Sequence, residues 1–345
     1  MPFARRTLLR GLPLLAAAPA LARPRRALAF EPPDRVARAV ALGSLRDLPV
    51  EVRAALAPDD DDRPIPRPRA DDWLNSHRER GQTYAEYLRQ GFNRPTPERR
   101  TIVVIPLGDS DDLGDGMPAL ADLVDFIGRF FQLPARSAPP LALADLGARS
   151  RRHYGRRQHL TGDLLDALRR RLPADAYCTI GVTAADLYPG PKWNFVFGEA
   201  RLHERVGVHS FARYDPAFYG ERDDDRPRTI LNRGLKVMAH EVGHMLSILH
   251  CVHYRCLMNG TNHIAETDRA PLHLCPVCRR KLLAATRCDL GRREAALAEF
   301  FGARGLEAPA ARCARRAATI AAAAEAQASM TAVSDWLRDL AEPTR

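Results

Sequence analysis

Apolar and polar positions along this chain alternate between two periods. Thr101 to Leu107 (TIVVIPL) is a nearly unbroken run of β-branched and apolar side chains, the pattern of a strand buried on both faces. Tyr177 to Val182 repeats it, and Trp193 to Phe197, Val206 to Tyr214 and the short Leu141 to Leu146 predict further strands. Between them, Leu120 to Phe131 places its apolar residues at helical spacing. Thr161 to Leu172 sets Leu164, Leu165 and Leu168 on one face, with Thr161 as the cap. A longer helix is predicted over Thr229 to Ser247, with Leu231, Leu235, Val237, Met238, Val242, Met245 and Leu246 available to pack it. Helices follow over Cys278 to Cys288, Glu294 to Phe301 and the Ala-rich Ala314 to Leu340, whose anchors are Ile320, Val333, Trp336, Leu337 and Leu340. Strands interleaved with helices make the expected fold class α/β (α+β), a mixed twisted sheet packed against the long helix.

Upstream, Glu31 to Ala57 predicts a short helical pair, and Asp71 to Phe92 a helix anchored by Trp73, Leu74, Tyr84, Tyr87 and Leu88. Between them lie the four aspartates Asp59 to Asp62 and the spaced Pro64, Pro66 and Pro68, which read as an extended, solvated linker. At the start, Arg5-Arg6 precedes an apolar run ending in Ala20-Leu21-Ala22, the pattern of a twin-arginine export signal. Export to the periplasm or outside the cell is then expected, with a cytoplasmic location as the alternative. The run is shorter than the roughly 20 residues a membrane span needs. The expected organisation is a signal over 1–22, an extension and linker over 23–70, a main domain over 71–288 and a helical C-terminal extension over 289–345.

Composition changes little in this picture. The chain has 345 residues, 46% hydrophobic, with a formal net charge of +10. Its basic charge is almost all arginine; lysine occurs only at Lys192, Lys236 and Lys281. No basic cluster carries interleaved aromatics, so a nucleic-acid partner is not expected. Of seven cysteines, Cys178 lies in a strand-like run and reads as a buried small side chain, while Cys288 and Cys313 have a spacing that leaves pairing open.

The chemistry concentrates between His240 and Cys278. His240-Glu241-x-x-His244 on a helix puts two imidazoles one turn apart on the same face, able to grip one Zn²⁺ with Glu241 beside it. His250 can supply a third nitrogen, leaving a fourth position for water, as a catalytic zinc requires. Cys251, Cys256, Cys275 and Cys278 form two close pairs that fit a structural four-thiolate zinc. Two Zn²⁺ ions per chain are expected, one catalytic and one structural.

The whole pattern, HExxHxxxxxHC, then C-x-M, then C-x-x-C, resembles the archaemetzincin family of zinc metallopeptidases. Trp73 to His77, Asp186 to Pro189, Trp193 to Gly198, Ser210 to Tyr214, Asn262-His263 and Leu272 to Cys275 are also similar to that family, so the likeness covers about Asp71 to Leu283. It implies a metzincin-like fold, with Met258 in the Met-turn beneath the catalytic zinc and Glu241 as general base for water attacking a peptide bond. A peptide or protein substrate is implied, held against the sheet edge that Val206 to Tyr214 or its neighbour would form. Tyr254 and Tyr219 are candidates for a second oxyanion donor; Glu266 and Asp268 are expected to brace the loop. One departure stands out. Where the family pattern has Gly three residues after the second His, this chain has Ser247, which can turn the helix end only at some backbone cost. That keeps open a zinc-binding scaffold with weak or no activity.

Overall fold

The alternation of side chains along the first strand separates two halves of the core. In this computed structural model, which describes residues 30–341 except 92 and 111–112, with side chains to residue 331, strand β1 (Thr101–Pro106) sends Ile102 and Val104 into one apolar cluster. Val103 and Ile105 enter the other, as a period of two requires of a strand covered on both faces. The remaining strands are β2 (Ala135–Ser137), β3 (Ser150–His153), β4 (Arg156–Leu160), β5 (Ala176–Thr183), β6 (Asp186–Tyr188), β7 (Gly198–Arg201) and β8 (Val206–Ser210). The main sheet has the order β2-β1-β5-β8-β7, parallel except for β7, which runs antiparallel to β8. A small second sheet orders β3-β4-β6.

Helices Leu120–Phe131 and Arg226–Met245 cover one face of the main sheet, and Thr161–Arg170 covers the other through Leu164, Leu165 and Leu168. The long helix starts three residues earlier than its apolar pattern predicts because Pro227 is accepted in the first turn.

Several expectations are corrected. Thr161 begins its helix but does not cap it; its hydroxyl donates to Tyr188 O and contacts the Glu199 carboxylate, tying the helix to the sheet. Leu141 to Leu146 is a single bridge from Leu141 to Leu107 and a 3₁₀ turn over Leu143–Leu146, not a strand. Trp193 to Phe197 is a loop, held by Arg151, whose guanidinium donates to Trp193 O and Asn194 O, and by Gln158, which also donates to Asn194 O. The small sheet thus supports a loop where periodicity predicted a strand. Asp71 to Phe92 breaks into helices Trp73–Ser76 and Tyr84–Arg89; Tyr87 is fully buried, whereas Leu88 is exposed.

The aspartate run is the largest correction. Asp62 is buried, and its carboxylate accepts from the guanidinium groups of Arg279 and Arg316, which are also buried. Asp59 pairs with Arg316 as well. A like-charge run reads as solvated when only its own sequence is considered; here its partners lie more than 200 residues away. These pairs join the segment to helices Pro276–Thr286 and Glu307–Ala341. Helix Val50–Leu56 packs on both of these helices and Arg35–Leu42 on Pro276–Thr286, and Leu290–Gly302 docks on Leu120–Phe131 through Phe126, Phe300 and Phe301. Residues from Ala41 to Ile320 therefore share one apolar cluster.

Cys178 is buried in β5, and Cys288 and Cys313 are both free thiols. The expected signal over 1–22 and the side chains of Val333, Trp336, Leu337 and Leu340 lie outside the described residues. Among the described residues, no helix is long and apolar enough to cross a membrane.

Asp62→Ala would leave two buried guanidinium groups short of a carboxylate, a change that costs about 3–5 kcal/mol at fully buried pairs. Because Asp59 still pairs with Arg316, the lower end of that range is expected in urea unfolding of the metal-loaded protein.

Candidate metal centre

Helix Arg226–Met245 carries His240 and His244 one turn apart, and their Nε2 atoms face each other at 2.9 Å. His250 arrives from the chain beyond the helix, so that one nitrogen from each of the three rings lies within 4.8 Å of the others. All three rings have Nδ1 against an oxygen. His240 Nδ1 is 2.9 Å from Leu257 O, His244 Nδ1 is 2.8 Å from Ile248 O, and His250 Nδ1 is 2.6 Å from Glu79 Oε1. Carbonyl and carboxylate oxygens can only accept, so each Nδ1 carries the hydrogen and each Nε2 presents its lone pair. Lone pairs converging from three rings repel unless a cation sits among them, and neutral imidazole with a free Nε2 is the form that ligates zinc. The residues fit the metal. Burial pushes His240 down to about 3 and His244 well below the usual range, keeping both rings neutral.

The turn that returns His250 to the site is where Ser247 departs from the family pattern. Ile248 N–H donates to Gly243 O and Ser247 N–H to His244 O, the paired bonds of a Schellman helix end. That motif needs a left-handed residue, and Ser247 has φ +62°. Left-handed geometry costs a non-glycine residue roughly 1–2 kcal/mol. Ser247 offsets part of this, since its hydroxyl accepts from Asn93 N–H at 3.2 Å and its carbonyl accepts from Gln82 Nε2 at 3.3 Å. The turn therefore closes without glycine.

Glu241 points from the same helix toward the edge strand β7. A Cβ built on Gly198 would stand 2.8 Å from Glu241 Oε1, so glycine here makes room for the carboxylate. Burial, then the charge of Glu199, pushes the Glu241 carboxyl up to about 8; a divalent cation beside it acts in the opposite direction. Met258 is fully buried under this turn of helix, its Sδ against Gly243, where a Cβ would come within 2.6 Å.

The four cysteines also meet. One sulfur from each of Cys251, Cys256, Cys275 and Cys278 lies within 4.8 Å of the others, all are buried, and none is in a disulfide. Cys251 Sγ and Cys275 Sγ are 3.6 Å apart, near the edge of about 3.8 Å that a tetrahedron of Zn–S bonds demands. Cys256 Sγ accepts from Met258 N–H and Cys275 N–H. The two clusters share chain: Cys251 follows His250, its N–H donates to Met258 O, and Leu257, whose carbonyl holds His240, lies between Cys256 and Met258.

A cleft of about 510 Å³ opens over the histidines. β7 lines it through Gly198, Glu199 and Ala200, and β7 is the end strand of the sheet. Of the two expected edges it is the neighbour that forms the rim: Val206 to Ser210 is interior strand β8, paired with β5 and β7 and buried throughout. Phe211 and Phe197 belong to the core, and Phe197 also lines the cleft together with Phe195. Neither tyrosine candidate lines it. Tyr254 is buried near Arg38, and Tyr219 is exposed beside Phe218. Glu266 and Asp268 brace the loop as expected: Glu266 accepts from Trp73 N–H and Asn262 N–H, and Asp268 pairs with Arg233.

Glu79 is the residue the sequence hid. Its Oε1 accepts from Trp73 Nε1–H at 2.9 Å while holding His250, and Trp73 itself packs edge-on to His250 and stacks on His77. Burial, which raises its pKa, is outweighed by the hydrogen bonds it accepts from His250 and Trp73, so Glu79 is lowered. A single carboxylate in a polar stretch, 171 residues from its partner, has no periodicity to reveal it.

A family model described as Peptidase family M54 matches residues 147–284. The chain is 31% identical over 261 residues to Archaemetzincin-2 of Macaca fascicularis, an alignment that spans 67% of this chain and 72% of that one. To Archaemetzincin-2 of Homo sapiens it is 30% identical over 269 residues, spanning 69% and 74%. Among solved structures, the archaemetzincin of Archaeoglobus fulgidus superimposes with a TM-score of 0.41 at 27% identity, covering 52% of this chain and 99% of that one.

Two variants test this geometry. Glu79→Gln is expected to weaken zinc binding at the histidines by about 10–100-fold, the usual effect of losing a partner that orients a ligand, measured by competition with a chelator. At the helix end, Ser247→Ala keeps the backbone strain and loses the hydroxyl, so it should cost about 1 kcal/mol in thermal unfolding. Ser247→Gly removes both terms and should lie closer to the native protein.

Proposed function

The chain belongs to the archaemetzincins, zinc metallopeptidases of family M54, and from that premise we propose that His240, His244 and His250 hold its catalytic zinc and that Glu241 is its general base. The observation that carries this reading is the convergence of one nitrogen from each of three imidazoles, each with its Nδ1 against an oxygen, in a cleft that the buried Glu241 also lines and an end strand rims. A second zinc is assigned to Cys251, Cys256, Cys275 and Cys278, whose sulfurs are buried and near tetrahedral spacing. Met258 forms the apolar floor beneath the histidines.

Zinc, when bound, supplies a Lewis acid that polarises the peptide carbonyl and lowers the pKa of water to about 7. The chain supplies the rest. An extended peptide adds to the outer edge of β7 and is held there by main-chain hydrogen bonds. Gly198, at the start of that strand, lets the peptide and Glu241 approach without a side chain between them. Glu241 takes the proton from the attacking water and returns it to the leaving amine. The carbonyls of Leu257 and Ile248 and the carboxylate of Glu79 hold the three imidazoles in one orientation through the cycle. Ser247, the feature that favours an inactive scaffold, closes the helix end in left-handed geometry and so does not keep His250 from the other two histidines.

The test is exposure of a diverse peptide library to the zinc-loaded protein, read by mass spectrometry beside Glu241→Gln, with zinc content measured on both. Two zincs per chain are expected in each, and cleavage should fall about 10²–10⁴-fold in the variant. Absence of cuts in the native protein, with both sites filled, would overturn the proposal.

A further inference from the structure

Lysine is almost absent from this protein, with three among 52 basic side chains. Two of the three, Lys192 and Lys236, line the cleft, and among the described residues no arginine does. Lys281, the third, is buried elsewhere and donates to Gln82. Lys192 stands exposed at the mouth beside Trp193.

Lys236 is the buried one of the two in the cleft. It lies on the long helix four residues before His240, so it shares the face of the histidines about 6 Å along the axis. It is 94% buried, since its relative exposure is 6%. Two of its three N–H groups donate to Thr267 O and Asp268 O, each at 3.1 Å. Among the described residues, the third has no protein acceptor, and no carboxylate comes within salt-bridge distance. The charged groups nearest it are Asp268 and Arg233, and Asp268 is already consumed, with both oxygens on the guanidinium of Arg233. Of the two carboxylates in the cleft, Glu199 is hydrogen-bonded to Thr161 and Glu241 lies against Gly198 of β7. A buried ammonium solvated only by carbonyls is costly, and a carboxylate on a ligand would relieve it with a charge-assisted hydrogen bond.

We infer that Lys236 selects substrates by binding a peptide carboxylate within about two residues of the scissile bond, the distance that 6 Å allows an extended chain. The carboxylate is an acidic side chain or the C-terminus of a short peptide; both present the same group to the same ammonium. The inference rests on the peptidase reading and adds a substrate class to it. Its competitor is a purely structural role, in which Lys236 only braces the end of helix Ile264–Arg269.

The experiment uses full-length zinc-loaded protein and matched peptides. One series exchanges Glu for Gln at each of the two positions on either side of the cut; another compares free with amidated C-termini at fixed length. At one position, or for the free terminus, kcat/KM is expected to favour the carboxylate by about 10–100-fold, mainly through KM. Lys236→Met should bring acidic and neutral peptides to the same kcat/KM, and Lys236→Arg should retain part of the preference. The Glu series and the amide series tell the two carboxylate sources apart. Equal rates for every pair in the native protein would overturn the inference, as would a Lys236→Met variant that slows both members of a pair alike. Titration calorimetry of the same peptides on zinc-loaded Glu241→Gln gives a readout independent of turnover. Carboxylate-selective binding there, lost on adding Lys236→Met, would support the inference even if the native protein cut nothing and the peptidase reading fell.

Discussion

Three hydrogen bonds made by histidine Nδ1 atoms decide what the centre can do. Each is accepted by an oxygen that cannot donate, so each ring has only one tautomer available and only one nitrogen to offer. Remove the acceptors and the same three histidines in a buried site could swap tautomers, turn, or bond to one another. The acceptors come from three different parts of the chain. Ile248 belongs to the helix end, Leu257 to the cysteine-rich loop and Glu79 to a segment far upstream. The site is therefore as rigid as the connections among those three parts.

The four-cysteine cluster is what connects two of them. Cys251 is joined covalently to His250, and the same loop delivers the Leu257 carbonyl to His240 and the Met258 side chain to the underside of the helix. A zinc held by those sulfurs would act on the catalytic centre only through position, by removing slack from a loop that holds ligand, acceptor and floor together. The third part, around Glu79, is fixed by aromatic packing of Trp73 between His77 and His250 and by hydrogen bonds from Trp73 N–H and Asn262 N–H to Glu266. Gly260 matters here because any side chain would enter the Trp73 ring, at 2.6 Å for a Cβ.

Buried charge recurs at every junction of this molecule. Asp62 with Arg279 and Arg316 joins the upstream segment to the helices that follow the cysteines, and Glu294 with Arg293 and Arg312 sits inside the C-terminal helices; buried Arg233 holds the exposed Asp268. Such pairs contribute little net stability against an apolar equivalent, but a misregistered packing would leave one partner unpaired at high cost. They specify how segments distant in sequence meet. Lys236 and Lys281 differ from these pairs: each buried ammonium is held by uncharged oxygens, and of the two only Lys236 lines the cleft.

Local order in the chain was enough to mark the strands β1 and β5, the helices Leu120–Phe131 and Thr161–Arg170, and the histidines and cysteines that the fold brings together. These follow from side-chain period and from the fixed geometry of one helical turn or one C-x-x-C, both of which act over a few residues. Pattern misled where the deciding partner was remote. Trp193 to Phe197 has the composition of a strand, but Arg151 and Gln158 bond its carbonyls and hold it as a loop at the cleft rim. Four adjacent aspartates look solvated until guanidinium groups from beyond residue 270 arrive to bury one of them. Val206 to Ser210 and Gly198 to Arg201 cannot be ranked as interior and edge from composition, because that depends on which strand finds β5. Glu79 gains its role only when folding brings it 2.6 Å from His250. The candidate metal-binding residues were thus local information; orientation, edge and charge pairing were decided by the tertiary structure, since each depends on a contact between residues that the chain alone does not place together.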